Sequence, residues 1–132
     1  MFIDASALVA ILLKESDADT LLSRVEAADE RVTSPVAVYE TVVALMREHR
    51  LSRVVAEQQI RAFFAATGLE VIPITDEIGR AALDAFDRYG KGRGHPARLN
   101  MGNCFAYGAA MTLGVPLLFK GDDFAETALG QP

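Results

Sequence analysis

Acidic side chains directly follow apolar segments at two places in the sequence. Asp4 comes after the apolar residues "MFI", and Asp122 and Asp123 follow "VPLLFKG". A carboxylate at the edge of a hydrophobic core is unfavourable unless a hydrogen bond or a cation compensates it. Several carboxylates at one place also repel one another, and hard divalent ions such as Mg²⁺ or Mn²⁺ relieve that repulsion. The chemistry to consider is therefore metal binding by carboxylates.

Glu40 is a further acidic candidate, because its neighbours on a helix are apolar. The residues three and four positions away on either side are Val36, Ala37, Val43 and Ala44. Residues at this spacing share one face of a helix, so Glu40 belongs either to a buried face or to its solvent-reaching edge. If it is buried, its carboxylate needs a partner or a raised pKa.

Each acidic position also has a purely structural interpretation. Asp4 precedes a helix and can cap it, and the segment "GDDF" around Asp122 and Asp123 is typical of a turn. Asp76 follows another predicted strand, but with Thr75 before it we interpret it as part of a helix N-terminus.

A basic stretch, "YGKGRGHPARLN", stands out in an otherwise acidic chain. It is either a solvated surface loop or a strip that contacts phosphates, and in the second case Lys91, Arg93 and Arg98 are the candidates for these contacts. His95 lies in the same stretch, but nothing in the sequence marks a partner that would orient it for catalysis. The sequence contains no nucleophile elbow, phosphate-binding glycine loop or zinc-ligand spacing.

The elements that must position these residues are short apolar strands alternating with helices. The predicted strands are "MFI", "RVTS", "LEVIPI" and "VPLLF". The first predicted helix is "SALVAILLKES", and helical propensity continues after it through "DADTLLSRVEAA". The later predicted helices are "SPVAVYETVVALMREHRL", "SRVVAEQQIRAFFAATG", "TDEIGRAALDAFDRYG" and "MGNCFAYGAAMTLG". This alternation predicts a parallel sheet with helices on both faces, a three-layer α/β/α sandwich. No linker interrupts it, so residues 1–132 are expected to form a single domain. Because ligands bind at the carboxyl ends of such strands, Asp4 and the Asp122/Asp123 pair are expected at one edge.

Composition is that of an ordinary globular protein. The 132 residues are 51% hydrophobic and 23% charged, with a formal net charge of −5, which argues against broad nonspecific affinity for nucleic acid. The single cysteine, Cys104, excludes an internal disulfide and fits a reducing compartment. No signal peptide or membrane span is recognisable, so a cytoplasmic protein is expected.

Four segments, in this order along the chain, closely resemble the VapC-type toxins of bacterial toxin–antitoxin pairs, which are PIN-domain ribonucleases: "MFIDASALVAIL", "TSPVAVYETV", "GKGRGHPARLNMGNCFAYGAA" and "PLLFKGDDF". The resemblance covers nearly the full length. It implies a single PIN domain with a parallel sheet and Mg²⁺- or Mn²⁺-dependent cleavage of RNA. It also implies a symmetric homodimer that is neutralised by a cognate VapB-type antitoxin.

The resemblance implies an acidic site made of Asp4, Glu40 and an acid from Asp122 or Asp123. Of these two, Asp122 is expected to be the metal ligand. Ser6 matches a family hydroxyl that would orient a metal-bound water. The chain departs from the family at Asn103, where relatives usually have Gly-Asp-Cys in place of Gly102-Asn103-Cys104. Asn103 keeps a carbonyl oxygen but loses the negative charge of that ligand. Alternatively, it serves helix capping together with Asn100.

Three functions follow as hypotheses. The first is a metal-dependent endoribonuclease toxin whose activity is impaired by Asn103. The second is a catalytically inactive PIN-fold module that still binds its antitoxin. The third is a phosphatase or phosphotransferase with Asp4 as nucleophile, which would leave Glu40 and the four family segments as coincidences.

Overall fold

Four short parallel strands form the centre of the structure, a computed structural model that describes residues 1–130. Gln131 and Pro132, the end of the predicted domain, lie outside the described residues. The elements in chain order are β1 (Phe2–Ile3), α1 (Ala5–Leu12), α2 (Ala18–Ala27), β2 (Val32–Thr33), α3 (Pro35–His49), α4 (Arg53–Thr67), β3 (Glu70–Val71), α5 (Asp76–Tyr89), α6 (Met101–Leu113) and β4 (Leu117–Leu118).

The order of the strands in the sheet is β3-β2-β1-β4, and all neighbours are parallel. The first three strands are added in one direction, and β4 then returns to the other side of β1. The strand order therefore reverses between β1 and β4, where α/β sheets usually bind their ligands at the carboxyl ends. The backbone N–H of Asp4 donates to the carbonyl of Leu118 over 2.9 Å, so both strand ends lie together at this point.

Helices cover both faces of the sheet, which confirms the predicted three-layer α/β/α architecture. Side chains alternate across a strand, and β1 and β4 follow this rule: Ile3 and Leu118 join the core formed with α1 to α4. Phe2 and Leu117 join the other core, formed with α5 and α6. β1 and β4 are thus buried on both sides, as expected for a parallel sheet.

The helix ends follow their local sequence signals. Ser34 caps α3 by accepting a hydrogen bond from the N–H of Ala37, and Pro35 occupies the first helical position. Thr75 caps α5 in the same way. Gly68 ends α4 with a φ of +68°, a conformation that favours glycine.

All four strands are shorter than predicted, and the first helical region is divided in two. The continuous helical propensity after Asp4 is broken between α1 and α2, where Lys14 has a φ of +55°. Lys120, which follows β4, stabilises this turn, because its ammonium group pairs with Glu15 and Asp17. The predicted strand "LEVIPI" is reduced to Glu70–Val71, because its partner strand β2 ends at Thr33, where Ser34 caps α3. No helix within residues 1–130 is long and apolar enough to cross a membrane.

Candidate metal and RNA site

Asp4 is both the cap of α1 and a buried carboxylate. Its Oδ2 accepts hydrogen bonds from the N–H of Ser6 over 3.0 Å and from the hydroxyl of Ser6 over 2.6 Å. The residue is only 3% exposed. Burial raises the pKa of the Asp4 carboxyl, while the bonds from Ser6 act against this rise. The two interpretations of Asp4, cap and buried site residue, are therefore compatible.

Glu40 lies on α3, and its carboxylate meets the backbone of Gly102 at the start of α6. A Cβ atom added to Gly102 would lie 2.6 Å from the carboxyl carbon of Glu40, well inside contact distance. Burial raises the pKa of Glu40 to about 7, and the negative charge of Asp4 adds to this rise. Glu40 therefore sits at the buried site near Asp4, and a side chain at position 102 would displace it.

Gly102 is the residue whose role the sequence analysis missed. A glycine in the first turn of a helix is less favourable than alanine by about 1 kcal/mol. A glycine at this position was a signal that another group packs closely against the helix. That group belongs to Glu40 on α3, more than sixty positions away, and only the structure identifies it.

Of the two acids after β4, Asp123 is the one whose charge reaches Asp4, where it raises the pKa of the Asp4 carboxyl further. Both Asp122 and Asp123 are exposed in the turn that follows Lys120. The assignment of Asp122 as the metal ligand stays a prediction, and the electrostatics favour Asp123 as the acid nearer the buried pair.

Asn103 is 9% exposed and forms a capping box with Asn100. Its Oδ1 accepts from the N–H of Asn100 over 3.1 Å, and the Oδ1 of Asn100 accepts from the N–H of Asn103 over 2.9 Å. The capping interpretation of Asn103 is what the structure shows. One lone pair of its only acceptor oxygen is thus used locally, which leaves less of this side chain for a metal than an aspartate would offer.

Ser6 connects the ends of β1 and β4. Its hydroxyl donates to Asp4 and accepts from the backbone N–H of Lys120 over 3.0 Å. Because a serine hydroxyl has only one proton, Ser6 orients the Asp4 carboxylate in this state. Its expected role in orienting a metal-bound water stays a prediction.

The donor set suits a hydrated divalent ion rather than one enclosed by protein. Within residues 1–130, no three His, Cys, Asp or Glu side chains are grouped closely enough to hold a metal by themselves. In the same part of the chain, neither Asp4 nor Glu40 forms an ion pair with a basic side chain. Mg²⁺ commonly binds proteins through one or two carboxylates and keeps several waters. The uncompensated pair therefore fits such an ion.

The basic loop of residues 90–99 lies beside the acidic turn. A groove of about 390 Å³ is lined by Lys91, Arg98, Asn100, Asp122 and Asp123, together with Pro96 and Ala97. Arg93, the third candidate for contacting RNA, instead pairs with Asp87 on α5 over 2.8 Å. His95 accepts from the N–H of Ala97 through Nδ1 and packs edge-on against Tyr89, which supports the loop.

The chain belongs to the PIN domain family, whose sequence pattern matches residues 1–129. Among curated relatives, a VapC ribonuclease of Rhizobium meliloti is 39% identical, covering 98% of this chain and 99% of the relative. Ribonuclease VapC30 of Mycobacterium tuberculosis is 40% identical, covering 96% of this chain and 94% of the relative. These matches confirm the predicted resemblance to the VapC-type ribonucleases of the PIN family.

Solved structures share the fold. Mycobacterium tuberculosis VapC20, a sarcin-ricin loop cleaving toxin, superposes with a TM-score of 0.71 at 16% identity, over 94% of this chain and 92% of that one. A toxin–antitoxin complex from Klebsiella pneumoniae gives a TM-score of 0.69 at 16% identity, over 96% and 92%. The similarity at this identity concerns the fold, and it confirms the predicted PIN-like α/β sandwich.

Proposed function

We propose that this chain is the toxin of a type II toxin–antitoxin pair and hydrolyses phosphodiester bonds of RNA with Mg²⁺ or Mn²⁺. The observation that carries the proposal is the pair of Asp4 and Glu40. Asp4 is buried and Glu40 is half-buried, and the charge of Asp4 acts on Glu40 while that of Asp123 acts on Asp4. Neither carboxylate of the pair forms an ion pair with a basic side chain among residues 1–130. Such a pair is stabilised when a cation arrives.

The protein's own groups hold and orient the site. Ser6 fixes the rotamer of Asp4, Gly102 leaves the space for the Glu40 carboxylate, and Asp123 adds charge from the β4 turn. When bound, a divalent ion would polarise a phosphoryl oxygen and lower the pKa of a bound water. No covalent intermediate with the enzyme is required.

The attraction for RNA must overcome an acidic surface. With a net charge of −5 and four acids near the site, the protein alone repels a polyanion. The bound cation and the positive charge of the loop at residues 90–99 would together supply the opposing attraction. We expect this activity in the cytoplasm, where such a substrate is found.

We further propose that the chain forms a homodimer and binds a VapB-type antitoxin. Support comes from an exposed apolar groove of about 530 Å³ between α3 and α4, whose lining includes Tyr39, Val43 and Met46. A basic side chain of the antitoxin would pair with the carboxylates of the acidic site by charge-assisted hydrogen bonds. Light scattering of the chain without antitoxin tests the dimer, and a monomer at micromolar concentration contradicts it.

The second candidate function is a catalytically inactive module that still binds its antitoxin. The observation that favours it is the engagement of the Asn103 side chain in the capping box, at the position where the family's acid is expected. In this case the fold and the partner surface remain, but the metal binds too weakly for turnover.

One assay separates the two functions. RNA cleavage is measured across a magnesium titration for the unchanged chain, for Asn103→Asp, and for Asn103→Asp combined with Asp4→Asn. Cleavage by the unchanged chain supports the nuclease. If the unchanged chain does not cleave RNA but still binds its antitoxin, it is the binding module, and cleavage by Asn103→Asp that disappears with Asp4→Asn then assigns the inactivity to Asn103.

A further inference from the structure

Two cations of the loop at residues 90–99 share a groove with the acidic turn and remain uncompensated. Lys91 and Arg98 line the groove of about 390 Å³ together with Asp122 and Asp123. Within residues 1–130, neither Lys91 nor Arg98 is in an ion pair. A groove in which acidic side chains lie beside unpaired basic side chains suits a particular kind of ligand. One oxygen of that ligand would bind a metal held by the acids and another would bind the basic side chains, as the oxygens of successive phosphates can.

The third basic side chain of the loop has a different role. The guanidinium of Arg93 donates to Asp87 over 2.8 Å, so its charge is already balanced by a carboxylate of α5. Arg93 does not line the groove that holds the two acids. It therefore ties the loop to α5 rather than facing the site.

The backbone holds Arg98 in place. Its φ of +49° lies in the left-handed region, which residues other than glycine rarely adopt. The neighbours Ala97 and Leu99 are buried. The N–H of Leu99 donates to the carbonyl of Tyr89 over 2.8 Å, and its carbonyl accepts from the N–H of Lys91 over 2.9 Å. The packing of these neighbours fixes a conformation that is unfavourable in isolation, and unfavourable backbone conformations of this kind are common at functional sites.

A second groove begins where the first one ends. Its volume is about 520 Å³, and it is lined by Gly92, Gly94, His95, Pro96 and Arg98. Pro96 and Arg98 line both grooves, so the two depressions follow one another along the loop. The two glycines leave room for close approach of a backbone, because no atom lies within 4 Å of a Cβ added to either.

Building on the function proposed above, we infer that Lys91 and Arg98 contact successive phosphates of the RNA strand as it leaves the acidic site. The strand runs from the turn of Asp122 and Asp123, past Arg98, and into the groove beside Gly92 and Gly94. Arg93 takes no part in this contact. A single strand is the form that fits, since each contact is to the backbone and the path follows one narrow loop.

The test measures binding and not cleavage. A short fluorescein-labelled single-stranded oligoribonucleotide is titrated with protein in EDTA, and anisotropy gives the affinity at several salt concentrations. Each phosphate contact that is lost reduces the slope of log K against log salt by about 0.7. Lys91→Gln and Arg98→Gln should each show this reduction and weaker binding, whereas Arg98→Lys should keep most of the slope.

Two matched variants remove a charge elsewhere. Arg93→Gln removes one from the same loop, and Arg80→Gln removes an exposed, ion-paired arginine near the other end of α5. Both should keep the slope of the unchanged chain. Thermal unfolding of every variant checks the fold, and Lys91→Gln keeps the inference testable if Arg98→Gln does not fold.

Other outcomes overturn the inference. An equal loss of slope in Arg93→Gln, or no loss in Lys91→Gln and Arg98→Gln, shows that Lys91 and Arg98 are not the phosphate contacts. If the unchanged chain still binds RNA in that case, the nuclease proposal remains intact. Displacement of RNA by polyglutamate at equal charge, with the same dependence on Arg98, assigns the groove to an acidic polypeptide. If the unchanged chain neither binds nor cleaves RNA, the nuclease proposal and this inference both fail.

Discussion

The carboxylate of Glu40 occupies the space that a side chain at Gly102 would need. The two residues lie on different helices, α3 and α6, and a Cβ at position 102 would come within 2.6 Å of the Glu40 carboxyl carbon. Position 102 thereby controls where the second buried acid of the site can be, although it carries no functional group of its own.

Gly102→Ala should leave the protein folded but weaken its affinity for divalent ions. The atoms that obstruct the new methyl group belong to the end of a flexible side chain, so Glu40 can swing away, and alanine favours the helix by about 1 kcal/mol. Isothermal titration with Mn²⁺ and chemical unfolding measure the two effects.

Gly108→Ala is the matched comparison on the same helix. There a Cβ would lie 2.7 Å from the backbone nitrogen of Ala82 on α5, which cannot move aside alone. We expect destabilisation of about 1–3 kcal/mol from this overpacking. If Gly102→Ala destabilises as much and leaves metal affinity unchanged, the space at Gly102 serves the fold and not the site.

Asn103→Asp should strengthen metal binding and reduce stability without metal. It adds a negative charge next to Gly102, whose backbone meets the Glu40 carboxylate, and the new carboxylate can still accept from the N–H of Asn100. One charge facing another at ~4 Å is worth about 4 kcal/mol gross at an effective dielectric constant near 20, before solvation reduces it. The expected result is a lower unfolding temperature in EDTA and a larger increase on adding Mg²⁺ than for the unchanged chain.

Asn103→Ala distinguishes charge from capping. It removes the acceptor of the capping box without adding charge, and the loss of such a cap costs about 1 kcal/mol. Its unfolding temperature should fall in EDTA and in Mg²⁺ alike. Equal responses of Asn103→Asp and the unchanged chain across a magnesium titration would show that position 103 contributes no ligand.

Stability without metal should fall as the pH rises from the ordinary pKa of a glutamate to neutrality. In the folded state the pKa of Glu40 is raised from 4.5 to about 7, so the folded protein holds a proton that the unfolded chain releases over this interval. The free energy of unfolding should drop by about 1–2 kcal/mol, since Glu40 is only half-buried and partly screened. Burial raises the pKa of Asp4 in the same direction.

Urea unfolding in EDTA at several pH values measures this effect. Glu40→Gln should flatten the dependence between pH 4.5 and about 7, because the titrating group is gone. Mg²⁺ should oppose the decline in the unchanged chain by stabilising the ionised form. A stability that rises with pH across this interval would contradict the uncompensated burial of the carboxyl pair.

Ser6→Ala should destabilise the protein by about 1–3 kcal/mol and raise the pKa of Asp4 further. It removes a donor to a buried carboxylate and also the acceptor for the N–H of Lys120, and buried polar groups without partners are costly. Ser6→Thr keeps the hydroxyl and should retain the stability. The exposed Ser23→Ala on α2 serves as control, with an expected change within about 0.5 kcal/mol. The pKa of Asp4 is followed by carboxyl NMR.

Local sequence signals determined the helices and the identity of the candidate acids. The pair Ser34-Pro35 and the residue Thr75 marked helix starts correctly, because a cap depends only on backbone groups two or three residues away. Asp4 could be selected because a carboxylate after a buried strand needs a partner wherever the chain leads. The four segments that resemble the VapC-type toxins then identified the family.

Tertiary structure alone decided how these pieces meet. The reversal of strand order sets β4 beside β1 and thereby favours Asp123 as the acid whose charge reaches Asp4. Lys120 pairs with Glu15 and Asp17 in the turn between α1 and α2, more than a hundred positions earlier in the chain. These outcomes depend on contacts between residues distant in sequence, whose free energies arise only once the sheet and its two cores have packed, so no local pattern could encode them.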